Sequence, residues 1–498
     1  MQAANIHAQS APPEAHATLV VGGGVGGMRA ALDLAEAGIP VYLIEGTPGL
    51  GGRVAQLGFM FPTHDCVLCR GTSDHGYGCT RPSISPAFLD HNLHPNITIL
   101  TNTHLTAVEG QAGDFSVTLC QEPRFIDPAR CVNCGACAEV CPVDLPSAFQ
   151  AGLTMRKAAY KSAPRALPDC YVIEKGPYCD NCARCVAVCP TDAIDLNGTP
   201  VTRNVRVGAI ILALGYQLFD AGNLEEFGFG RYANVLHSMQ YERLSSRSGP
   251  TEGIVHRLSD NRVPQRIAWL QCIGSRDQDN PFCSSICCMY ATKEAILAKQ
   301  RLGAVDCHIF VMDERAFNKE YNTYYVQARE RYGVHYTRCR ISEIREDPAT
   351  RDLILHYLDE SGRPAYETFD MVVLAVGTQP PAESEALARI LNIELNPSGF
   401  CQVEKFTPLQ TSRPGVFVCG AFATPKEIAE TIIDASGAAA EVMRLLGFNP
   451  GWQLNHAQPF MCAQNLPPNA TSAGSRRASA SSCARVGRAS ARCWTWRR

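Results

Sequence analysis

Short apolar runs that end in glycine recur along this chain, and helical stretches follow them. The first is TLVV (18–21), then GGGVGG, a helical stretch and a second apolar run, VYLIE (41–45). Apolar run, glycine turn, helix and apolar run is the order of a βαβ unit. The pattern returns with VGAIILALGY (207–216), RIAWLQCIG (266–274), a helix over 290–302 and CHIFVMDE (307–314). DMVVLAVG (370–377) and GVFVCGAF (415–422) read as two more buried strands, each ending in or beside glycine. Their continuous apolar character fits parallel strands covered on both faces. A last helix is expected over about 427–446, where small residues recur at helical spacing.

Two stretches break the plan. Residues 121–199 have few long apolar runs and hold nine of the 24 cysteines, so the core of this region is something other than side chains. The expected organisation is a loose arm (1–17), a dinucleotide-binding part (18–120), a small inserted domain (121–199), the remainder of the α/β fold (200–450) and a low-complexity tail (451–498). Residues 471–498 carry seven Arg and no acid, leaving −10 on the rest of the chain. They read either as a disordered basic tail or as out-of-frame coding text.

Composition narrows the function classes. With 498 residues, 46% hydrophobic and 19% charged, the chain is a globular protein of several domains. A net charge of −3 excludes a nucleic-acid binder driven by phosphate neutralisation. MQAANIHAQSAPPEAHA contains no secretory apolar core, and no run of 18 apolar residues is present. A large chain of this kind with 24 Cys is expected to be cytoplasmic and to hold metal rather than disulfides.

Gly22, Gly24 and Gly27 form the G-x-G-x-x-G of a dinucleotide turn. Gly22 permits the turn, Gly24 admits a pyrophosphate to the backbone, and Gly27 lets helix and strand pack closely. Glu45, closing the next strand, is placed to accept a hydrogen bond from a ribose hydroxyl. Gly52 and Arg53, with Gly215, Gly377 and Gly420 at later strand ends, stand where flavoproteins with two dinucleotide domains contact their cofactor. Jointly they favour FAD over NAD.

The cysteines form four groups. Cys131, Cys134, Cys137 and Cys141-Pro142 match Cys179, Cys182, Cys185 and Cys189-Pro190 in spacing. This is the bacterial two-cluster ferredoxin pattern, in which the fourth Cys of each run ligates the other cluster. One [4Fe–4S] cluster is expected on Cys131, Cys134, Cys137 and Cys189, and the other on Cys179, Cys182, Cys185 and Cys141. Cys170 lacks a spacing partner and reads as a plain thiol. Cys272, Cys283, Cys287 and Cys288 follow the strand where a nicotinamide-binding domain would show its glycine turn. By spacing alone they read as another cluster site or as four buried apolar thiols. Cys66, Cys69 and Cys79 share a glycine-rich loop and could ligate a cluster or form a redox dithiol. The neighbouring Asp65, His64 and His75 read as solvated loop residues.

Over roughly residues 18–450 these motifs, in this order, resemble the A subunit of heterodisulfide reductase and its bacterial relatives. The resemblance implies a thioredoxin-reductase-like α/β flavoprotein, interrupted by an α+β two-cluster ferredoxin domain. That family carries a C-x(about ten)-C-x3-C-C-M-Y-A-x-K segment, here ending at Lys293. It thereby implies a third [4Fe–4S] cluster on the 272–288 thiols and places Lys293 near the flavin N5 region, where a cation favours reduced, anionic flavin. Without the resemblance Lys293 reads as an exposed helix lysine. Residues 425–441 likewise resemble the family's closing flavin-contact helix. Methanogen members carry an additional N-terminal domain and a C-terminal ferredoxin pair, which this sequence lacks.

The expected function is that of an electron-transfer flavoprotein within a larger complex. It would pass electrons between FAD, clusters and partners, either sister subunits of an oligomeric complex or ferredoxin-type carriers, and in the best-known relatives the flavin bifurcates electrons. A stand-alone pyridine-nucleotide–disulfide oxidoreductase with a C-x-x-C dithiol is the alternative, and the absence of a second glycine fingerprint argues against it. A ferredoxin-like adaptor without flavin is disfavoured by the intact glycine set.

Overall fold

The computed structural model describes residues 17–64, 94–164 and 166–447. Cys66, Cys69, Cys79, Asp65 and His75 lie outside the described residues, as do most of the N-terminal arm and the whole basic tail. All described residues belong to one compact unit.

The chain opens with β1 (Thr18–Val21), α1 (Val25–Glu36), β2 (Val41–Glu45), β3 (Ile97–Thr101), β4 (Thr103–Gln111) and β5 (Asp114–Gln121). The insert carries α2 (Ala136–Glu139), β6 (Asp144–Pro146), β7 (Met155–Lys157), β8 (Ala159–Tyr160), β9 (Val172–Ile173) and α3 (Arg184–Ala187). β10 (Val201–Val207), β11 (Ala209–Leu212) and β12 (Gln217–Leu218) return to the first domain. The second domain runs through β13 (Val235–His237), α4 (Ser238–Ser245), β14 (Arg266–Ile273), α5 (Cys287–Leu302), β15 (Asp306–Val311), α6 (Tyr321–Glu330) and β16 (His335–Arg338). It continues with β17 (Ile341–Glu346), β18 (Leu353–Leu358), β19 (Pro364–Phe369), β20 (Met371–Val376) and β21 (Thr378–Gln379). α7 (Ser384–Leu391), β22 (Val416–Val418) and α8 (Ile428–Leu445) close the described chain.

Two domains share one plan. The first has a parallel sheet ordered β22-β11-β1-β2-β3 beside an antiparallel sheet β10-β5-β4. The second has a parallel sheet β13-β20-β14-β15-β16 beside an antiparallel sheet β17-β18-β19. β14 therefore occupies the central place that β1 holds, and α5 follows it as α1 follows β1. This is the expected pair of dinucleotide-type domains. Small residues let helices approach closely: Gly26, Gly27, Ala30 and Ala31 of α1 are buried, as are Ala435, Ala438 and Ala439 of α8. α5 starts at Cys287, three residues before the expected 290, so Cys287 and Cys288 sit in its first turn.

The insert leaves the first domain between β5 and β10. Those strands remain paired up to Gln121 opposite Val201, so its two ends meet and the host sheet is not broken. In the second domain the corresponding strands β18 and β19 are joined by a short turn. The insert's own apolar core is small, with Ile126, Ile173, Ile194 and Leu196 at its centre and Cys131, Cys141, Cys185 and Cys189 packed against it.

Arg243 of α4 ties the pieces together. It is fully buried, and burial lowers its guanidinium to about 10, still cationic at neutral pH. It donates to Gln56 O of the first domain (2.7 Å), Gln150 Oε1 of the insert (3.0 Å) and Ser248 Oγ (2.9 Å). Arg243→Met removes these bonds while keeping most of the volume. It is expected to cost about 2–4 kcal/mol, since charged hydrogen bonds are worth more than neutral ones. Thermal unfolding should show this loss, and an unchanged Tm would mean that Arg243 does not hold the junction.

Candidate functional site

A cavity of about 670 Å³ opens at the C-terminal end of β1 and runs between the two domains and the insert. That volume suits a cofactor-sized ligand. Gly22, at φ +109°, turns the chain out of β1 in a conformation that favours glycine. A Cβ on Gly27 would fall onto the Gly22 carbonyl oxygen, so this glycine lets α1 pass close over β1. A Cβ on Gly24 would meet no atom within 4 Å. Gly24 therefore opens directly on the cavity, at the N-terminus of α1, which no side chain caps. Uncapped helix N–H groups beside open space form a cradle for phosphate.

Glu45 also lines this end. Its Oε2 accepts from Gly23 N (2.7 Å), and its Oε1 accepts from Thr47 N and Thr47 Oγ1 (2.8 Å each). A carboxylate offers about four acceptor positions, so Glu45 shapes the turn and keeps one position for a ribose hydroxyl. Gly52, Arg53, Gly215 and Gly420 line the same cavity. Gly377 is not among the residues that line it. It closes β20, in the second sheet, and a Cβ there would press on Gly274 O (2.8 Å) and Ser284 Oγ (2.9 Å). Its place is against the cysteine-bearing turn.

The far end of the cavity is walled by Ser285, Ile286, Met289 and Lys293 of the segment that carries Cys283–Cys288. Lys293 is buried, which excludes the solvated-lysine reading. Its Nζ donates to Phe59 O (2.9 Å) and pairs with the Glu242 carboxylate. Glu242 Oε2 also accepts from Gly58 N (3.0 Å). Glu294, beside Lys293, lines the cavity and is buried as well. Neither acid was apparent in the sequence: Glu242 lies 51 residues from its partner, and Glu294 carries no motif. The insert supplies Phe149, Tyr160 and Ser162 to the cavity wall, and the Ser162 hydroxyl is buried without a partner. No motif marks the insert as reaching the cofactor end.

Cys272, Cys283, Cys287 and Cys288 are close enough to act on one another electrostatically. Cys272 takes φ +60° at an irregularity near the end of β14, one residue before its last. Ser285 N donates to Cys283 Sγ (3.4 Å), and Arg276, paired with Asp313, reaches Cys272 Sγ (4.0 Å). Burial pushes the Cys288 thiol up to about 11 and Cys287 further. In the insert a smaller cavity is lined by Cys131, Cys134, Cys137 and Cys189 together, the crossed set expected from the spacing. Ala193 N donates to Cys189 Sγ (3.3 Å). Cys185 faces Cys179 and Cys182, and it packs with Cys141 against the insert core. Four converging thiols with amide donors aimed at sulfur suit iron–sulfur ligation. Cys170 is buried and accepts from Arg124 Nη2 (3.4 Å), a structural thiol. His64 is not merely solvated, since its Nε2 meets Tyr324 Oη at 2.6 Å.

Residues 17–59 match the family described as FAD binding domain, and residues 129–199 the 4Fe-4S dicluster domain. Residues 290–440 match the family described as pyridine nucleotide-disulphide oxidoreductase. One of the CoB–CoM heterodisulfide reductase iron-sulfur A subunits of Methanopyrus kandleri is 42% identical over 433 residues, covering 86% of this chain and 64% of its own length. The chain is homologous to the A subunits of heterodisulfide reductases. The corresponding protein of Methanocaldococcus jannaschii is 39% identical over 429 residues, covering 85% of this chain and 63% of its own. The chain thus spans less than two thirds of the length of these heterodisulfide reductase relatives. Among solved structures, the thioredoxin reductase of Lactococcus lactis aligns over 87% of this chain and 99% of its own, at 14% identity and a TM-score of 0.48. Homology and matched families agree with the expected FAD-binding and 4Fe-4S dicluster domains. No helix among the described residues is long and apolar enough to cross a membrane.

Gly27→Ala tests the cradle. The added methyl must displace α1 from β1, an overpacking that costs about 1–3 kcal/mol. The expected result is a lower Tm and reduced flavin content in the purified protein. Full flavin at unchanged Tm would show that the turn has slack.

Proposed function

We propose that this chain is the flavin- and cluster-bearing electron-transfer component of a heterodisulfide-reductase-like assembly. One observation supports this above the others. One cavity is lined both by the glycine cradle and by Ser285, Ile286 and Met289, within the segment that bears three of the 272–288 thiols. A cofactor bound there lies against a cluster site, with the insert on another wall. FAD, when bound, exchanges electrons singly or in pairs, whereas clusters carry single electrons. The chain's own residues set the terms of that exchange. Gly22 to Gly27 and Glu45 hold the dinucleotide, and Lys293 brings a cation to the ring end. Cys272, Cys283, Cys287 and Cys288 hold a third [4Fe–4S] cluster, and the two insert sets hold the others. Cys134 and Cys182 are exposed, with Val132 and Tyr178 prominent beside them. The partners, sister subunits or ferredoxin-type carriers, meet the insert there.

Cys287→Ala is expected to lower iron by about four per chain, the content of one Cys₄-held cluster, with FAD retained. Unaltered iron would reduce these thiols to packing residues. Lys293→Ala should leave iron unchanged and shift the flavin potential downward by about 30–60 mV, equivalent to about 1.4–2.8 kcal/mol for two electrons. It also strands Glu242 as a buried charge, costing on the order of 3–5 kcal/mol of stability. The potential is therefore read well below the lowered Tm. A potential equal to that of the unmodified protein would remove Lys293 from the flavin's surroundings.

The match to pyridine nucleotide-disulphide oxidoreductases favours a second reading, direct reduction by NADH or NADPH. The end of β14 speaks against it, since Cys272-Ile273-Gly274-Ser275 stands where a phosphate-binding glycine turn would be. Neither nucleotide is expected to bleach the flavin of the isolated protein. Rapid stoichiometric bleaching, followed by absorbance under anaerobic conditions, would establish the second reading.

A further inference from the structure

Glu294 follows Lys293 on α5, and the residue is 1% exposed. Oε2 accepts from Trp269 Nε1–H at 2.8 Å. Oε1 is buried with no hydrogen-bond partner. What the Glu294 carboxyl faces is Glu242, another acceptor, whose oxygens already take Lys293 Nζ and Gly58 N–H. Two carboxylates cannot bond to each other unless one carries a proton. A proton on Glu294 Oε1 would turn an orphaned acceptor into a donor and satisfy both acids.

The charge count leads to the same place. Glu242 and Lys293 cancel as an ion pair, so a charge on Glu294 would be uncompensated in a closed interior. The titratable groups around it are Glu242 and Tyr241 on α4 and Lys293 and Tyr290 on its own helix, with Cys307 of β15 and Arg301 of α5 beside Tyr241. The cations among them are Lys293 and Arg301, and both are already engaged, Lys293 with Glu242 and Arg301 with Ser245 O and the Phe59 ring. An isolated buried charge of this kind is strongly disfavoured, and the group takes up a proton instead. Burial first, and the Glu242 charge second, push the Glu294 carboxyl well above the ordinary range.

We propose that Glu294 is the redox-linked proton site of this cavity: it stands as a neutral carboxylic acid that donates its O–H to Glu242, and it places a second negative charge beside the flavin only when it ionises. This rests on the reading that the flavin ring lies at the Lys293 end. Ionisation breaks the Oε1–H bond, passes the proton to solvent base and moves no electron. The new charge disfavours added electron density nearby, so the flavin potential falls. By reciprocity, reduction of the flavin strengthens the hold of Glu294 on its proton. Glu294 acts through Glu242 and Lys293, as a positioning residue.

The test uses the complete holoprotein with its clusters. Flavin potentials are measured from mildly acidic to alkaline pH in the unmodified protein and in Glu294→Gln, which keeps a donor but cannot ionise. Equal potentials at neutral pH are expected, followed by a steeper alkaline fall in the unmodified protein only. Infrared spectra should show a carboxylic-acid C=O band at neutral pH that shifts in D₂O and is missing in Glu294→Gln. Superimposed potential curves, or a band unaffected by the substitution, would overturn the proposal. Should the variant fail to fold, the unmodified protein decides. The acid band must then disappear in step with the steepened fall, and its absence at neutral pH refutes the assignment. Absence of bound FAD would overturn the reading of the cavity, and an intact acid band in that same protein separates that failure from one at Glu294.

Discussion

Two neighbouring side chains on α4 govern the rest of the molecule. Glu242 holds Gly58 N–H and Lys293, while Arg243 holds Gln56 O and Gln150. One short helix of the second domain thereby fixes a loop of the first, the insert and its own domain's α5. Gln56 completes the knot, since its Nε2 donates to Ala148 O (2.9 Å) and Phe149 O (3.1 Å) of the insert. Buried charges of this kind are costly relative to apolar packing, and their best-attested return is registry. Here registry is what a cofactor cavity with three walls requires. Apolar contact alone would let the walls slide.

The two domains show how one plan serves two chemistries. Each has a central parallel strand followed by a turn and a helix whose N-terminus faces the interior. After β1 the turn is glycine, and the helix start is open to a phosphate. β14 ends on Cys272, in a left-handed conformation, and Ile273, and the helix begins with two cysteines. In the proposed reading thiols replace backbone amides as the groups that meet a ligand. The same architectural position that suits a dinucleotide in the first domain suits a metal centre in the second. The cradle at the start of α1 and the segment leading into α5 line a common cavity, one at each end of it.

Local features of this design were legible in the sequence, and long-range ones were not. Gly22, Gly24, Gly27 and Glu45 lie in one βαβ unit, so their spacing carries their geometry. The paired cysteine runs carry theirs for the same reason, down to the gathering of Cys189 with Cys131, Cys134 and Cys137. Glu242 and Arg243 matter through partners far along the chain, and the insert's Tyr160 and Ser162 through a cavity wall they share with distant segments, and no periodicity marks such placements. Gly377 shows the opposite failure. Its strand-to-glycine pattern matches Gly215, but the pattern is repeated because the domain plan is repeated, and of these two only Gly215 faces the cavity. Lys293 could not be placed from pattern alone, since α5 is covered on most sides and polar residues on it are buried with partners.

The cavity is electrically divided along its length. Its dinucleotide end offers neutral donors, the free N–H groups of α1, to groups whose charge does not change during turnover. Its other end offers Glu242, Lys293 and Glu294, ionisable groups held away from water, where added electron density would appear. In a closed interior an electron is accommodated by nearby charge or by a proton, because solvent cannot reorganise around it. In the proposed reading Lys293 meets the first need and Glu294 the second. The insert is fixed by Arg243 and Gln56 rather than hung on a linker. Electron transfer weakens steeply with separation, so the buried hydrogen bonds at the junction serve the chemistry as directly as the residues that line the cavity.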